Sequence, residues 1–132
     1  MKSSFSTSWK SSKQVRKQRK YFLNSPYHIK HKFLSANLSK ELRKKYNKRS
    51  LPLRKGDEVL VMRGAFKKKK AKVISVNKKN SLVALENIQR TKKDGTKVNV
   101  HFHPSVLQIQ SIFLEDKERI SVLERSKKNA SN

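Results

Sequence analysis

The sequence predicts a mostly β protein, in which a small closed barrel follows a basic N-terminal extension with short helices and precedes a short C-terminal helix. Three observations support this class. β-branched residues recur in short runs bounded by turn signals within residues 51–112. Hydrophobic residues make up 34% of the 132-residue chain, a share that suits only a small core. Lys and Arg outnumber Asp and Glu by 34 to 9, and most of the excess precedes the predicted barrel.

The net charge of +25 predicts a polyanionic partner. A compact chain this basic repels itself unless a polyanion neutralises it. Nucleic acid is the first candidate, because neutralised phosphates release counterions and favour binding. An anionic membrane surface and an acidic protein are the other candidates. Residues 1–55 carry a net charge of +16, residues 56–110 carry +8 and residues 111–132 carry +1, so the charge is concentrated at the front.

The N-terminal extension divides into an arm and a helical segment. Residues 1–23 are rich in Ser, Lys and Arg and poor in apolar residues, which predicts a basic flexible arm that is disordered alone. Within residues 24–50, Pro26 predicts the start of one short helix, and Ser39 caps a second over residues 40–46. Both helices are too short to be stable unsupported, so they must dock on the barrel or on RNA.

The strands of the barrel are predicted from β-branched clusters and from the turns between them. The expected strands cover residues 58–62, 71–76, 81–86, 88–91, 97–101 and 106–112. Asp94 and Gly95 form a strong hairpin signal before the fifth of these strands. Gly56 and Gly64 mark positions where the chain must turn tightly. Closure into a barrel would remove the exposed edges of such short strands. Residues 113–132 should supply the C-terminal helix and tail.

Several classes of function are disfavoured. The chain has no Cys, which excludes disulfides, thiolate metal sites and thiol catalysis. No apolar run approaches the ~20 residues that span a bilayer, and the first residues lack a secretory signal, so we expect a cytoplasmic protein. Asp57 and Glu58 are adjacent and would point to opposite faces of a strand, a poor acid–base pair. His101 and His103 lack further metal ligands, so we expect no enzyme, metal or cofactor.

The candidate RNA-binding residues are cations and the aromatic or imidazole side chains beside them. Most charge runs are solvated loops, but the four lysines at 67–70 sit in a very basic chain, which favours phosphate contact. Trp9, Tyr27 and other aromatics beside cations could stack on bases, although some could equally pack inside. The expected RNA-binding residues are Lys13, Arg16, Lys17, Arg19, Lys20, Tyr21, His28, Lys30, His31, Lys32, Arg49, Arg54, Arg63, Phe66, Lys67, Lys68, Lys69, Lys70 and Lys72.

Residues 54–73 resemble a KOW motif. Gly56-Asp57 precedes an apolar strand, Arg63-Gly64 follows it, and a basic loop then leads to Lys72-Val73. Other segments recur in family order: residues 16–21, 25–32, 38–46, 49–57, 94–96 and 103–105. Together they resemble the large-subunit ribosomal protein L twenty-four family in its archaeal and eukaryotic form (eukaryotic L twenty-six), over roughly residues 13–125.

This resemblance implies an SH3-like barrel and a structural role in the large ribosomal subunit. It implies binding to the 5′ region of large-subunit ribosomal RNA, a part in early assembly, a place near the peptide exit tunnel, and neighbouring ribosomal proteins as partners of a chain that is monomeric there. No membrane contact is implied. Lys68 and Ala71 replace glycines usual in the family, so we expect added charge and a restricted loop backbone. A KOW-type transcription elongation factor and a generic nucleic-acid-binding protein are the alternatives.

Overall fold

The computed structural model describes Phe5, Ser6, Ser8 and residues 11–128. The sheet dominates the fold, which confirms the expected mostly β class. The helices are α1 (Val15–Asn24), α2 (Tyr27–Phe33), α3 (Lys40–Tyr46) and α4 (Lys117–Lys128). The strands are β1 (Ser35–Leu38), β2 (Ser50–Pro52), β3 (Glu58–Val61), β4 (Lys70–Asn77), β5 (Leu82–Thr91), β6 (Lys97–Phe102) and β7 (Leu107–Ser111). A short 3-10 turn, Pro104–Val106, precedes β7.

The seven strands form one sheet in the order β2-β1-β7-β3-β4-β5-β6. β1 and β7 run parallel, and the other neighbouring strands are antiparallel. The closed barrel expected from the sequence is not found, because no ladder joins the outer strands β2 and β6 within the described chain. After Phe102 the backbone enters the 3-10 turn and returns as β7 between β1 and β3. The sheet therefore keeps two edges.

Irregularities in the ladder bend the sheet around its core. The register shifts beside Val59 in β3, beside Val73 in β4 and between Ala84 and Gln89 in β5. Such bulges increase the local twist of a strand. Two strands were expected within β5, but one continuous strand is present, with Asn87 at a positive φ of 58° inside it. The hydrophobic side chains enclosed by the bend include Leu38, Val59, Leu85, Leu107 and Ile109, all fully buried.

Two strands, β1 and β2, precede the first strand that the sequence predicts, and β1 lies wholly outside the region expected to form the sheet. β1 was not expected, because it lies in the segment predicted to carry short helices and its Ser-Ala-Asn-Leu sequence has little preference for a strand. Its pairing with β2 on one side and β7 on the other fixes it there, and Ala36 and Leu38 point into the core. The N-terminal extension therefore contributes to the sheet as well as carrying helices.

The three helices of the N-terminal extension only partly match the helices predicted from the sequence. Ser39 caps α3 as predicted, and its hydroxyl accepts a hydrogen bond from the Leu42 backbone N–H at 3.3 Å. α1 was not expected, because its region lies in the predicted disordered arm. No α1 residue is buried, but the Phe22 ring lies 5.4 Å from the Phe33 ring in α2. The Lys30 ammonium also donates to the Leu23 carbonyl at 3.2 Å, so contacts with α2 hold α1.

A buried ion pair joins the turn before β3 to α4. Asp57 is fully buried and Arg119 is 5% exposed. The two guanidinium nitrogens of Arg119 each donate to one carboxylate oxygen of Asp57, at 2.7 Å. The carboxylate also accepts the backbone N–H groups of Arg54 at 2.9 Å and Phe113 at 3.0 Å. Arg119 donates further to the carbonyls of Phe113 and Pro52, so each terminal nitrogen of the guanidinium makes two hydrogen bonds, and each carboxylate oxygen of Asp57 accepts two.

Arg119→Met should lower the free energy of unfolding by about 3–5 kcal/mol, because it leaves the buried Asp57 carboxylate without its charge partner. The control is Arg54→Gln, which removes an ion pair between the partly exposed side chains of Arg54 and Asp116. That change should cost below about 1 kcal/mol. Urea denaturation of both variants measures the difference. Equal losses would show that burial of the Asp57 pair carries no special weight.

Gly56→Ala should destabilise the fold more than Gly64→Ala. Both glycines have nearly the same positive φ, 90° and 91°, so the backbone strain of about 1–2 kcal/mol is shared. Only at Gly56 would the added Cβ meet another residue, the Phe113 ring at 3.1 Å. We expect an excess loss of about 1 kcal/mol or more, measured by thermal unfolding. Phe113→Leu should shrink the excess in a double-mutant cycle; an unchanged excess contradicts the steric cause.

Candidate nucleic-acid interface

The basic loop, residues 62–69, presents its cations from a fixed backbone. The Lys68 N–H donates to the Val61 carbonyl at 2.8 Å, and the Lys67 N–H donates to the Gly64 carbonyl at 3.1 Å. The Lys69 N–H donates to the Phe66 carbonyl at 3.2 Å. Lys67–Lys69 in the loop and Lys70 at the start of β4 are all exposed. The basic loop and the first residue of β4 therefore present four ammonium groups to solvent.

Phe66 anchors the basic loop to the sheet. Its ring meets the Phe102 ring of β6 edge-on, with centroids 6.0 Å apart and planes 81° apart. The Lys69 ammonium lies 5.3 Å from the centroid of the Phe66 ring, within the range of a cation–π contact. Phe66 is half-buried, so the structure gives this predicted RNA-binding residue a packing role in the free protein.

The two departures from the family glycines differ in their effect. Lys68 has a φ of 70°, in the left-handed region that a glycine adopts without strain. Ala71 lies within β4 opposite Val59 and packs against the core, so its methyl group suits a strand rather than the loop. The replacement at 68 therefore adds a strained, exposed cation to the loop.

The remaining predicted cations divide between exposed and packed positions. Lys30 is 9% exposed and donates to Leu23, so we place it with the packing between α1 and α2. Tyr21 is half-buried, with its ring 6.2 Å from that of Phe33. Trp9 lies outside the described residues. The exposed candidates are Lys13, Arg16, Lys17, Arg19, Lys20, His28, Lys32, Arg49, Arg63 and Lys72.

Asp94 and His103 could suggest acid–base or metal chemistry, but both side chains are hydrogen-bonded to neighbouring residues of their own turns. The backbone N–H and hydroxyl of Thr96 both donate to Asp94 at the β5–β6 turn, and these bonds lower the pKa of the Asp94 carboxyl. His103 caps the 3-10 turn, and its Nδ1 lies 2.8 Å from the Ser105 hydroxyl. Across the described residues, no cluster of three or more His, Asp or Glu could hold a metal ion, and no helix could cross a membrane.

A groove lies between α2 and β4, here called the α2–β4 groove, with a volume of about 720 Å³. It brings together two predicted site residues, His31 and Arg54. Sequence reasoning missed Lys55 and Lys78 in its lining; Lys78 looked like part of a polar turn, and only its charge signalled a role. Burial lowers the pKa of His31, and the charges of Lys78 and Arg54 lower it further. His31 is therefore held toward its neutral form beside cations.

The chain was compared with known proteins. A family model that describes ribosomal proteins, L26 of eukaryotes and its archaeal counterpart L24, matches residues 12–126. The chain belongs to this family. The large ribosomal subunit protein uL24 of Korarchaeum cryptofilum (strain OPF8) is 48% identical over 109 residues, which cover 83% of this chain and 83% of that relative.

Membership of this ribosomal protein family agrees with the resemblance found in the sequence and covers both the N-terminal helices and the sheet. The family is one of structural ribosomal proteins rather than enzymes, and its place is the ribosome, in the cytoplasm. The exposed cations of the basic loop and of α1 thus belong to a ribosomal protein.

The pKa of His31 in the free protein should lie below its ordinary value of 6.5. Lys78→Ala should raise it, because one of the nearby positive charges is removed, whereas Lys93→Ala at the exposed β5–β6 turn should leave it unchanged. Titration of the imidazole Hε1 resonance by NMR measures each value. An unmoved pKa in Lys78→Ala would contradict the assigned cause.

The lowered pKa of His31 also makes the free energy of unfolding depend on pH. Because the folded-state pKa lies below the unfolded value, the unfolded chain binds more protons between the two values. The stabilising contribution of His31 to the free energy of unfolding is therefore fully present above pH 6.5 and is lost as the pH falls through the folded-state pKa.

Proposed function

We propose that this chain is a structural constituent of the large ribosomal subunit and acts by binding large-subunit ribosomal RNA. The observation that carries the proposal is the basic loop, in which backbone hydrogen bonds fix the chain and Lys67, Lys68 and Lys69 face solvent. The name of the relative, a large ribosomal subunit protein, supports the same assignment. The net charge of +25 supplies the favourable release of counterions from RNA.

The basic loop and α1 would contact RNA in different ways. The loop is fixed to the sheet, so its ammonium groups suit phosphates at a set spacing and would orient the protein. α1 presents Arg16, Lys17, Arg19 and Lys20 to solvent, and none of its residues is buried, so it suits insertion between RNA segments. Affinity would come from both, whereas position would come chiefly from the loop.

The finer assignments follow from the family resemblance and are part of the proposal. The bent sheet would be a variant of the SH3-like KOW barrel in which the ladder stays open. The chain would bind the 5′ region of the RNA, act early in subunit assembly and lie near the peptide exit tunnel, as a monomer among neighbouring ribosomal proteins. The match over residues 12–126 favours this role over that of a KOW-type elongation factor.

Replacing Lys67, Lys68, Lys69 and Lys70 together by Gln should weaken binding to large-subunit ribosomal RNA. The slope of log affinity against log salt should fall by about 1 for each lysine that contacts a phosphate. The matched control replaces the same four residues by Arg, which keeps the charge and should keep the slope. Filter binding across a salt series measures both variants.

The same variants test assembly. The Gln variant should be depleted from large subunits after a high-salt wash, whereas the Arg variant should sediment with them. A Gln variant that binds RNA with the parental slope and enters subunits normally would show that the basic loop is not the interface. Sedimentation of the parent with RNA polymerase rather than ribosomes would overturn the ribosomal assignment.

A further inference from the structure

The α2–β4 groove has the size and construction of a ligand site. Its volume of about 720 Å³ falls within the usual range for small-ligand pockets, about 300–1,000 Å³. Four separate parts of the chain line it: α2 and the residue after it, the turn before β3, the end of β4, and the segment between β7 and α4. Because the sheet and two helices fix these parts, the groove exists before any ligand arrives.

The floor of the groove is apolar and partly open to solvent. Leu34 and Leu53 are buried beneath it, whereas Ile74 and Phe113 line it with 40% and 41% of their surfaces exposed. The backbone N–H of Phe113 donates to Asp57, and its carbonyl accepts from Arg119. Phe113 therefore presents its ring from a fixed backbone, as a flat apolar ligand would require.

The rim of the groove is charged unevenly. On one wall, Asp116 is already paired with Arg54, and Glu115 lies beside it. Lys78, directly after β4, is exposed and forms no ion pair among the described residues. A ligand with an apolar face and one anionic group fits this arrangement, with the anionic group on the Lys78 side.

A second hollow continues the groove beyond Lys78. It shares Ser75, Val76 and Lys78 with the first, and it adds Lys79 and Tyr27. Tyr27 is 65% exposed, so its ring is accessible to a ligand. Alternating aromatic and cationic side chains along a surface are the pattern of a single-stranded nucleic-acid platform.

We propose that the α2–β4 groove takes one unstacked nucleotide of ribosomal RNA, with its base on Ile74 and Phe113, its phosphate at Lys78, and the next base stacked on Tyr27. The inference rests on the proposed RNA-binding function and names the part of the RNA that this surface recognises: a single-stranded loop or bulge. A duplex would not fit, because its bases are stacked and paired. An apolar peptide segment would leave Lys78 and Lys79 without partners.

The first test uses the full chain and a single-stranded RNA hexamer. The hexamer should shift the NMR resonances of the Ile74 methyl groups and the Phe113 ring, and it should raise the pKa of His31 by bringing a phosphate near. The same hexamer with abasic residues should bind at least about fivefold more weakly, because each stacked base contributes to affinity. Inorganic phosphate alone should move His31 without moving Ile74.

Matched variants separate the groove from general charge. Ile74→Ala and Lys78→Ala should each weaken hexamer binding by about fivefold or more. The controls are Val98→Ala, which changes an aliphatic residue of the same exposure (41%), and Lys93→Ala, which removes one exposed charge. The controls should bind like the parent. Circular dichroism and thermal unfolding verify that all four variants remain folded.

The outcomes distinguish this inference from the proposed function. The groove inference is wrong if the groove variants bind the hexamer as tightly as the parent chain and the abasic hexamer binds as tightly as the intact one. If ribosomal RNA still binds with a steep salt dependence in that case, the RNA-binding function stands. Hexamer shifts confined to lysines would also overturn the groove inference, as would an apolar peptide that competes for Ile74 when RNA does not. Loss of all RNA binding by the parent chain would overturn the proposed function itself.

Discussion

The buried pair of Asp57 and Arg119 is the interaction on which the geometry of this protein depends. Removing two charges from water costs several kcal/mol per ion, and the attraction between them offsets this only when the other hydrogen-bonding capacity is also used. Here the carboxylate accepts four hydrogen bonds and the guanidinium also donates to two carbonyls. The partners belong to the turn before β3, the segment after β7 and α4. The same bonds fix Arg54 and Phe113, so the α2–β4 groove inherits its shape from this pair.

The sequence predicted those elements whose signals are local. Ser39 begins α3 because a hydroxyl can cap the first turn, and β3 and β7 alternate buried and partly exposed residues as a half-buried strand should. β1 was missed because its four residues carry no strand preference, and only pairing with β2 and β7 makes it a strand. Arg119 was not predicted as the partner of Asp57, because 62 residues separate the two and no local pattern links them.

The candidate site could be predicted in charge but only partly in position. Counting cations predicted a polyanionic partner, and the four lysines at 67–70 are exposed as that prediction requires. Side-chain direction was beyond reach, because it depends on packing: Lys30 turns inward to Leu23, and Phe66 turns onto Phe102. Lys78 was omitted because its position in a polar turn gave no sign that the fold brings α2 and the end of β4 to the same groove.

The basic loop carries two energetic costs, backbone strain at Lys68 and repulsion among its lysines, and a bound partner would change only the second. The φ of 70° at Lys68 costs about 1–2 kcal/mol that a glycine would avoid, and the folded chain carries this cost with or without a partner. The neighbouring lysines add mutual repulsion at the same place. The repulsion is not offset within the described residues, because they form no ion pair with these ammonium groups. A phosphate partner would relieve the repulsion, so the basic loop should be more stable on RNA than alone.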